Sequence, residues 1–351
     1  MDKSELSEVA KQMVAAGKGI LAADESMNTV GKRFTGINLE NTEDNRRAFR
    51  EMLLTASGEG EYISGVILFD ETARQKTSSG KSFVEVLQSE GILPGIKVDK
   101  GLVDFGTDGE KVTKGLEGLS DRLKEYISLG AKFCKWRAVI TIDTEKNLPT
   151  GANISQNAKD LATYALECQK AGLVPMVEPE VLIDGNHSIE QAGLVSEKIL
   201  TSLFEELKDA GVSLEGAILK TSMVISGKDS GKKDSPEEVA AATLRLFKKV
   251  LPKELAGQAF LSGGQKETQA TENLNAMHQM GELPWPLTFS YARALQDSAT
   301  KTWAGKPENI GAAQKVFLHR ARMNSLACLG KYSSEMEKDF TSVQDRQASQ
   351  D

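Results

Sequence analysis

Cysteine and histidine are both scarce in this 351-residue chain, and that scarcity removes whole classes of chemistry at the outset. The three cysteines, Cys134, Cys168 and Cys328, are far apart, odd in number and free of any CxxC pairing. Neither a disulfide framework nor a thiolate zinc site is indicated, and the thiols read as small buried hydrophobes in a reducing compartment. His187, His278 and His319 are the only histidines, with no two spaced to share a helix face. Imidazole is the usual ligand of catalytic zinc, so they read as three unrelated surface or loop residues, and neither metal nor cofactor is expected. A basic surplus is also missing: 43 Lys and Arg stand against 50 Asp and Glu, a formal net charge of -7. That argues against a general nucleic-acid binder, and any anion site must be a local concentration of Lys and Arg. No apolar run approaches the ~20 residues of a membrane span. The N-terminus, MDKSELSEVA, is charged and polar from its second residue, so a cytoplasmic location without membrane attachment is expected.

What the chain does contain is an alternation of short β-rich apolar runs with amphipathic stretches, the pattern of parallel βα units. Candidate strands are Gly19 to Ala23, Ile63 to Phe69, Gly95 to Asp99, Ala131 to Ile140, Leu173 to Val181, Leu214 to Val224, Gln258 to Gly263 and Pro286 to Tyr291. Eight is the number that closes a TIM (β/α)8 barrel, and barrels of about this length fold as one domain. Ser155 to Ala171, Ile189 to Ala210 and Pro236 to Val250 carry apolar residues at helical spacing. Asp234 or Ser235 is placed to cap the last of these, whose first turn holds Glu237 and Glu238. With no internal repeat and no Pro- or Ser-rich linker, residues 1–330 read as one α/β catalytic domain and residues 331–351 as a polar, mobile tail. Ser226 to Ser235, SGKDSGKKDS, reads as a solvated loop.

Parallel barrel strands are buried on both faces and should read as unbroken apolar runs. Several here do not. Lys97 and Asp99, Lys135 and Arg137, and Glu178 and Glu180 each sit two apart, on one face of their strand by the pleat. Asp24 ends the first strand, Lys220 interrupts GAILKTSMV, and Arg293 follows the eighth. All lie near the C-terminal ends of their runs, where barrel enzymes assemble active sites. Ion pairs round a rim could explain any one of them. They explain the set poorly, because burying ion pairs rarely stabilises a fold. An amine attacks a carbonyl only when deprotonated, which neighbouring cations and desolvation favour, so Lys220 with Lys135 and Arg137 nearby suggests an imine-forming enzyme. Glu178, Glu180 and Asp24 could transfer the protons that imine formation requires.

Anion binding is the second expectation. LSGGQ (Leu261 to Gln265) ends the seventh strand with Gly263 and Gly264 just before a helix, which lets backbone N–H groups approach an oxyanion. Arg293 follows the eighth strand, and phosphate sites after strands seven and eight recur in this architecture. Lys32 and Arg33, after the first strand, offer a second cationic cluster, so two phosphate ends are conceivable.

The motifs together resemble the class I, Schiff-base fructose-1,6-bisphosphate aldolases from near the N-terminus to about Tyr332. The resemblance rests on GKGILAADES (Gly17 to Ser26), ENTEDNRR (Glu40 to Arg47), GIKVDKG (Gly95 to Gly101), KWR (Lys135 to Arg137), VPMVEPE (Val174 to Glu180), FLSGGQ (Phe260 to Gln265), FSYARALQ (Phe289 to Gln296) and NSLACLGKY (Asn324 to Tyr332). It implies reversible cleavage of fructose 1,6-bisphosphate to dihydroxyacetone phosphate and glyceraldehyde 3-phosphate, commonly in a homotetramer, within glycolysis and gluconeogenesis. By motif it assigns the Schiff base to Lys220, the main acid/base role to Glu178, the C4 hydroxyl to Asp24, and supporting charge to Lys135 and Glu180. It assigns one phosphate to Ser262, Gly263, Gly264, Ser290 and Arg293, and the other end to Lys97, Arg137, Ser26, Thr29, Lys32 and Arg33. The chain departs from the family's pattern at four places. Ala292 replaces a usual glycine, Thr221-Ser222 a usual Pro-Asn, and Met27-Asn28 the usual small residues, while the chain ends in Asp351 rather than tyrosine. Fructose 1-phosphate and sedoheptulose 1,7-bisphosphate are the alternative substrates, and a sugar-phosphate-responsive binding or scaffold protein is the alternative outside catalysis.

Overall fold

In the computed structural model, which describes residues 3–106 and 108–338, eight parallel strands form a closed barrel. They are β1 (Gly19–Ala23), β2 (Ile63–Leu68), β3 (Leu93–Lys97), β4 (Phe133–Ile140), β5 (Val174–Val181), β6 (Ile218–Thr221), β7 (Gly257–Phe260) and β8 (Leu287–Tyr291). Each strand pairs with the next, and β8 pairs with β1 through Ser290 and Ile20, so no edge is left open. The TIM barrel read from the alternation is the observed fold.

The pleat sorts each strand's residues between two cores. Ile20, Ala22, Ile67, Phe133, Val174, Met176, Ile218 and Ala259 form an inner cluster, while their sequence neighbours pack outward beneath the helices. Leu6, Ala10 and Met13 of the helix Lys3–Met13, with Val14, join the inner cluster and close the N-terminal end of the barrel. Gly95 makes room for the largest of these groups: a Cβ there would lie 2.2 Å from Phe133 Cζ. The apolar floor is thus set below the charged residues two steps further along the same strands.

The structure departs from expectation in several places. The run Leu214 to Val224 yields a strand only at Ile218–Thr221, because Gly216 and Ala217 first donate to Ser213 and Leu214 in a 3₁₀ turn. The polar segment 226–235 is not simply solvated. The Gly227, Lys228 and Asp229 amides donate to the carbonyls of His187, Ile183 and Gly185, stitching this loop to the one after β5. Asp234 turns inward to accept from Ser226, which leaves Ser235 as the cap of Pro236–Val250, in a reciprocal bond with Glu238. Of the histidines, His187 does lie in a loop, though buried, whereas His278 and His319 are half-buried on helices, their rings bonding the Leu287 carbonyl and Glu337. The helix Leu119–Ser128 and a short hairpin, Leu102–Asp104 with Lys111–Thr113, fill the connection from β3 to β4.

Of the tail read from Lys331 onward, residues 331–338 are described. Tyr332 is buried, its amide donates to Asn275, and Glu337 bridges His319 and Arg320. Residues 339–351 lie outside the described residues. Among the described residues no helix is long and apolar enough to cross a membrane.

Candidate active site

A cavity of about 860 Å³ opens at the C-terminal ends of the strands. Lys135, Arg137, Glu178, Glu180 and Lys220 reach it because they continue the inward-facing series of Phe133, Met176 and Ile218 past the apolar floor. Asp24 enters from the turn after β1, and Lys97 from the end of β3.

At its base the charges alternate. Lys220 Nζ lies 3.0 Å from Glu178 Oε1, Lys135 Nζ lies 3.1 Å from Glu178 Oε2, and Lys135 Nζ lies 2.6 Å from Asp24 Oδ2. All four side chains are at least nine-tenths buried, so each charge depends on its neighbours rather than on water. Burial alone would raise the Asp24 carboxyl, but Lys135 and Lys220 outweigh it and hold the group well below the usual carboxylate range. Burial likewise acts to raise Glu178, and Lys135, Lys220 and Arg137 bring it below its ordinary value. Lys135 shows the converse: burial acts to lower it, while Asp24, Glu178 and Asp99 drive it well up. Asp24 and Glu178 therefore stay ionised and Lys135 stays a cation. The nearest charge to Lys220 is a carboxylate, not the cation expected from sequence, because Glu178 lies between the two lysines. Arg137 takes the other acid of the strand and pairs with Glu180.

Anion-binding groups ring this cluster. Gly263 and Gly264 adopt φ of +52° and +87°, the left-handed region that favours glycine, and turn the chain from β7 into Glu267–Gln279. Ser262 and Gly263 line the cavity with Arg293, which opens the helix Arg293–Trp303. The Ser290 hydroxyl also lines it, buried and without a hydrogen-bond partner. Leaving such a group unpaired costs about 1–3 kcal/mol, which an acceptor in the cavity would offset. Ala292 has φ −101°, so the methyl that replaces a usual glycine introduces no left-handed strain. Ser26, Thr29, Arg33 and Lys97 line the opposite side; Lys97 is tied to Asp99, and the Ser26 and Thr29 hydroxyls lie 3.1 Å apart. Two residues read from sequence lie outside the lining. Lys32 is exposed on the helix Met27–Thr35, and Gly264 stands behind Gly263, near Arg293.

Several lining residues escaped the sequence reading. Glu25 is inside the very motif that supplied Asp24, and Asp70 follows β2 as Asp24 follows β1, so the same strand-end signal could have found it. Arg74, Arg122 and Tyr126 come from helices and carry no such signal; only the fold brings them to the mouth. Tyr126 donates to Asp70 at 3.0 Å.

The closed barrel, the buried lysine–carboxylate cluster and the glycine–arginine rim together define a (β/α)8-barrel enzyme. The chain belongs to the class-I fructose-bisphosphate aldolase family, whose model matches residues 5–350. It is 54% identical to the fructose-bisphosphate aldolase of Dictyostelium discoideum over 333 residues, covering 94% of this chain and 93% of the relative. It is also 54% identical to the cytosolic fructose-bisphosphate aldolase 4 of Arabidopsis thaliana, over 92% of this chain and 82% of that protein. A solved structure of the Plasmodium falciparum aldolase superposes with a TM-score of 0.93 at 51% identity, covering 94% of this chain and 96% of that one.

Proposed function

We propose that this chain reversibly cleaves fructose 1,6-bisphosphate to dihydroxyacetone phosphate and glyceraldehyde 3-phosphate, with Lys220 as the amine that forms the Schiff base. The observation that carries this reading is the contact of Lys220 Nζ with Glu178 Oε1, 3.0 Å apart at the base of a cavity rimmed by anion-binding groups.

Transfer of one proton from the Lys220 ammonium to Glu178 frees the amine lone pair to attack the C2 carbonyl. Glu178 then returns the proton to the carbinolamine oxygen, which leaves as water, and the C2 iminium forms. The Asp24 carboxylate takes the C4 hydroxyl proton. As that oxygen becomes the aldehyde, the C3–C4 bonding pair moves toward C2 and neutralises the iminium as an enamine. Protonation at C3 and hydrolysis release dihydroxyacetone phosphate and regenerate the amine. Lys135, cationic between Asp24 and Glu178, holds both acids in place while their charges change. Ser262, Gly263, Ser290 and Arg293 would receive one phosphate, and Ser26, Thr29, Arg33, Lys97 and Arg137 the other end.

Borohydride reduction with dihydroxyacetone phosphate, followed by peptide mass mapping, tests the assignment. The expected result is an adduct on Lys220, formed equally in chelator; an adduct on another lysine, or none, overturns it. Fructose 1-phosphate and sedoheptulose 1,7-bisphosphate are the alternative substrates, and kcat/KM for each against fructose 1,6-bisphosphate ranks them. Family resemblance supports a homotetramer, read by light scattering. The cytosolic Arabidopsis relative supports a cytoplasmic location, read by fractionation.

A further inference from the structure

Arg33 is the one arginine of the first βα connection that lines the cavity, and its guanidinium is held from behind by groups that the reaction does not touch. One nitrogen, Nη1, lies 2.7 Å from Glu25 Oε1 and also donates to Gln296 Oε1. Gln296 in turn donates to the Ala22 carbonyl on β1, two residues before Asp24. The second oxygen of Glu25 lies 2.5 Å from Nη1 of Arg50, on the helix Glu43–Leu54. Arg50 Nη2 donates to the Glu25 carbonyl at 3.3 Å, and its guanidinium carbon stands 5.2 Å from the centre of the Phe49 ring. Arg50 is 2% exposed and does not line the cavity.

We infer that Arg50 is a positioning residue, which by occupying one oxygen of Glu25 leaves Arg33 bound through a single nitrogen and the rest of its guanidinium free to meet a substrate phosphate. The argument is one of competition. A buried carboxylate needs compensation at both oxygens, and a guanidinium satisfies both at once in the bidentate geometry. Without Arg50, Glu25 would take Arg33 as its sole cation and draw the guanidinium out of the cavity. With Arg50 in place, Glu25 and Gln296 fix Nη1 of Arg33 and tie the anion-binding arginine to the strand end that carries Asp24. Arg50 therefore acts on the substrate only through Arg33.

This rests on the reading that Arg33 meets a phosphate, and a double-mutant cycle separates the two. Arg33→Ala, Arg50→Met and the double variant are assayed with fructose 1,6-bisphosphate, with thermal melting as a control. Arg50→Met is expected to raise KM about tenfold, the scale of one charge-assisted hydrogen bond, with kcat within about threefold. The double variant is expected to match Arg33→Ala alone, and Arg50→Lys, which keeps a cation on Glu25, to recover most of the loss. If Arg33→Ala leaves KM unchanged, the phosphate reading fails and takes this inference with it. If Arg33→Ala raises KM but the two effects multiply, the phosphate reading stands and the role of Arg50 is overturned. Because methionine in place of a buried arginine can prevent folding, Gln296→Leu, which frees the other side of the same nitrogen, is carried through the same cycle; multiplying effects there also overturn the network.

Discussion

The amines of Lys220 and Lys135 are joined by a single carboxylate, that of Glu178, with Oε1 3.0 Å from the first and Oε2 3.1 Å from the second. One amine must lose its proton for carbonyl chemistry, while the other is driven well up by Asp24 and Glu178 and keeps its own. Two lysines of like burial thus receive different roles from their partners.

Glu178→Gln keeps the shape of the bridge but removes the group that can shuttle a proton. We expect kcat to fall about 10²- to 10⁴-fold, the usual contribution of a positioned acid/base, with KM changed far less. Pre-steady-state trapping should show slower adduct formation on Lys220. A kcat within threefold of the parent would exclude Glu178 as the proton carrier.

Asp24→Asn separates bond cleavage from imine formation. Dihydroxyacetone phosphate has no C4 hydroxyl, so the variant should still be trapped by borohydride while cleaving fructose 1,6-bisphosphate at least about 10²-fold more slowly. The native carboxyl is depressed well below its ordinary value of 3.8, so it remains ionised throughout pH 5–9. An acid limb of kcat/KM in that window should therefore belong to another group. Loss of trapping together with cleavage would remove the distinction.

The barrel was legible because its strands are β-rich apolar runs, and its mouth because Lys135, Glu178 and Lys220 are charges inside such runs. Pairing was not legible. Arg137 lies opposite Glu178 in the register yet pairs with Glu180, while Lys135, opposite Met176, reaches Glu178. Strand stagger and side-chain lean decide this, and neither is visible in spacing along one chain. Arg50 and Glu25 are 25 positions apart on different elements, so nothing local links them. The segment 226–235 misled for another reason: polar composition reports what side chains prefer, whereas here the backbone makes the bonds.

Glu337 fastens residues 331–338 to the helix Ile310–Ala327 through His319 and Arg320, and accepts from the Tyr332 hydroxyl within the same segment. Burial acts to raise its carboxyl, but the bonds from His319 and Arg320 bring it down to about 2. A depressed folded value means that the contact stabilises fully above the ordinary 4.5 and is lost as pH falls from there toward 2. Glu337→Gln should destabilise by about 1–2 kcal/mol at pH 7, given its partial exposure, and hasten proteolysis after Lys331. Equal cleavage rates in parent and variant would show that the anchor lies elsewhere.

Glu59 presents the opposite case, an acid whose burial favours the protonated form. It sits in the 3₁₀ turn Glu59–Glu61 before β2, with no exposed surface and no hydrogen-bond partner on either oxygen. Burial, and to a lesser degree the charge of Glu90, raises its carboxyl well above 4.5. Because the folded form holds a proton that the unfolded form releases, its contribution is intact below the unfolded value and declines as pH rises toward the folded one. Stability should therefore fall as pH rises above 4.5. Glu59→Leu removes both the titration and the unpaired oxygens, a gain of about 1–3 kcal/mol at pH 8 if the side chain fits, or roughly 2–6 °C in Tm. At pH 5 the gain should shrink. Thermal melts of both proteins across that range decide it, and parallel Tm curves would show that Glu59 does not carry the pH dependence.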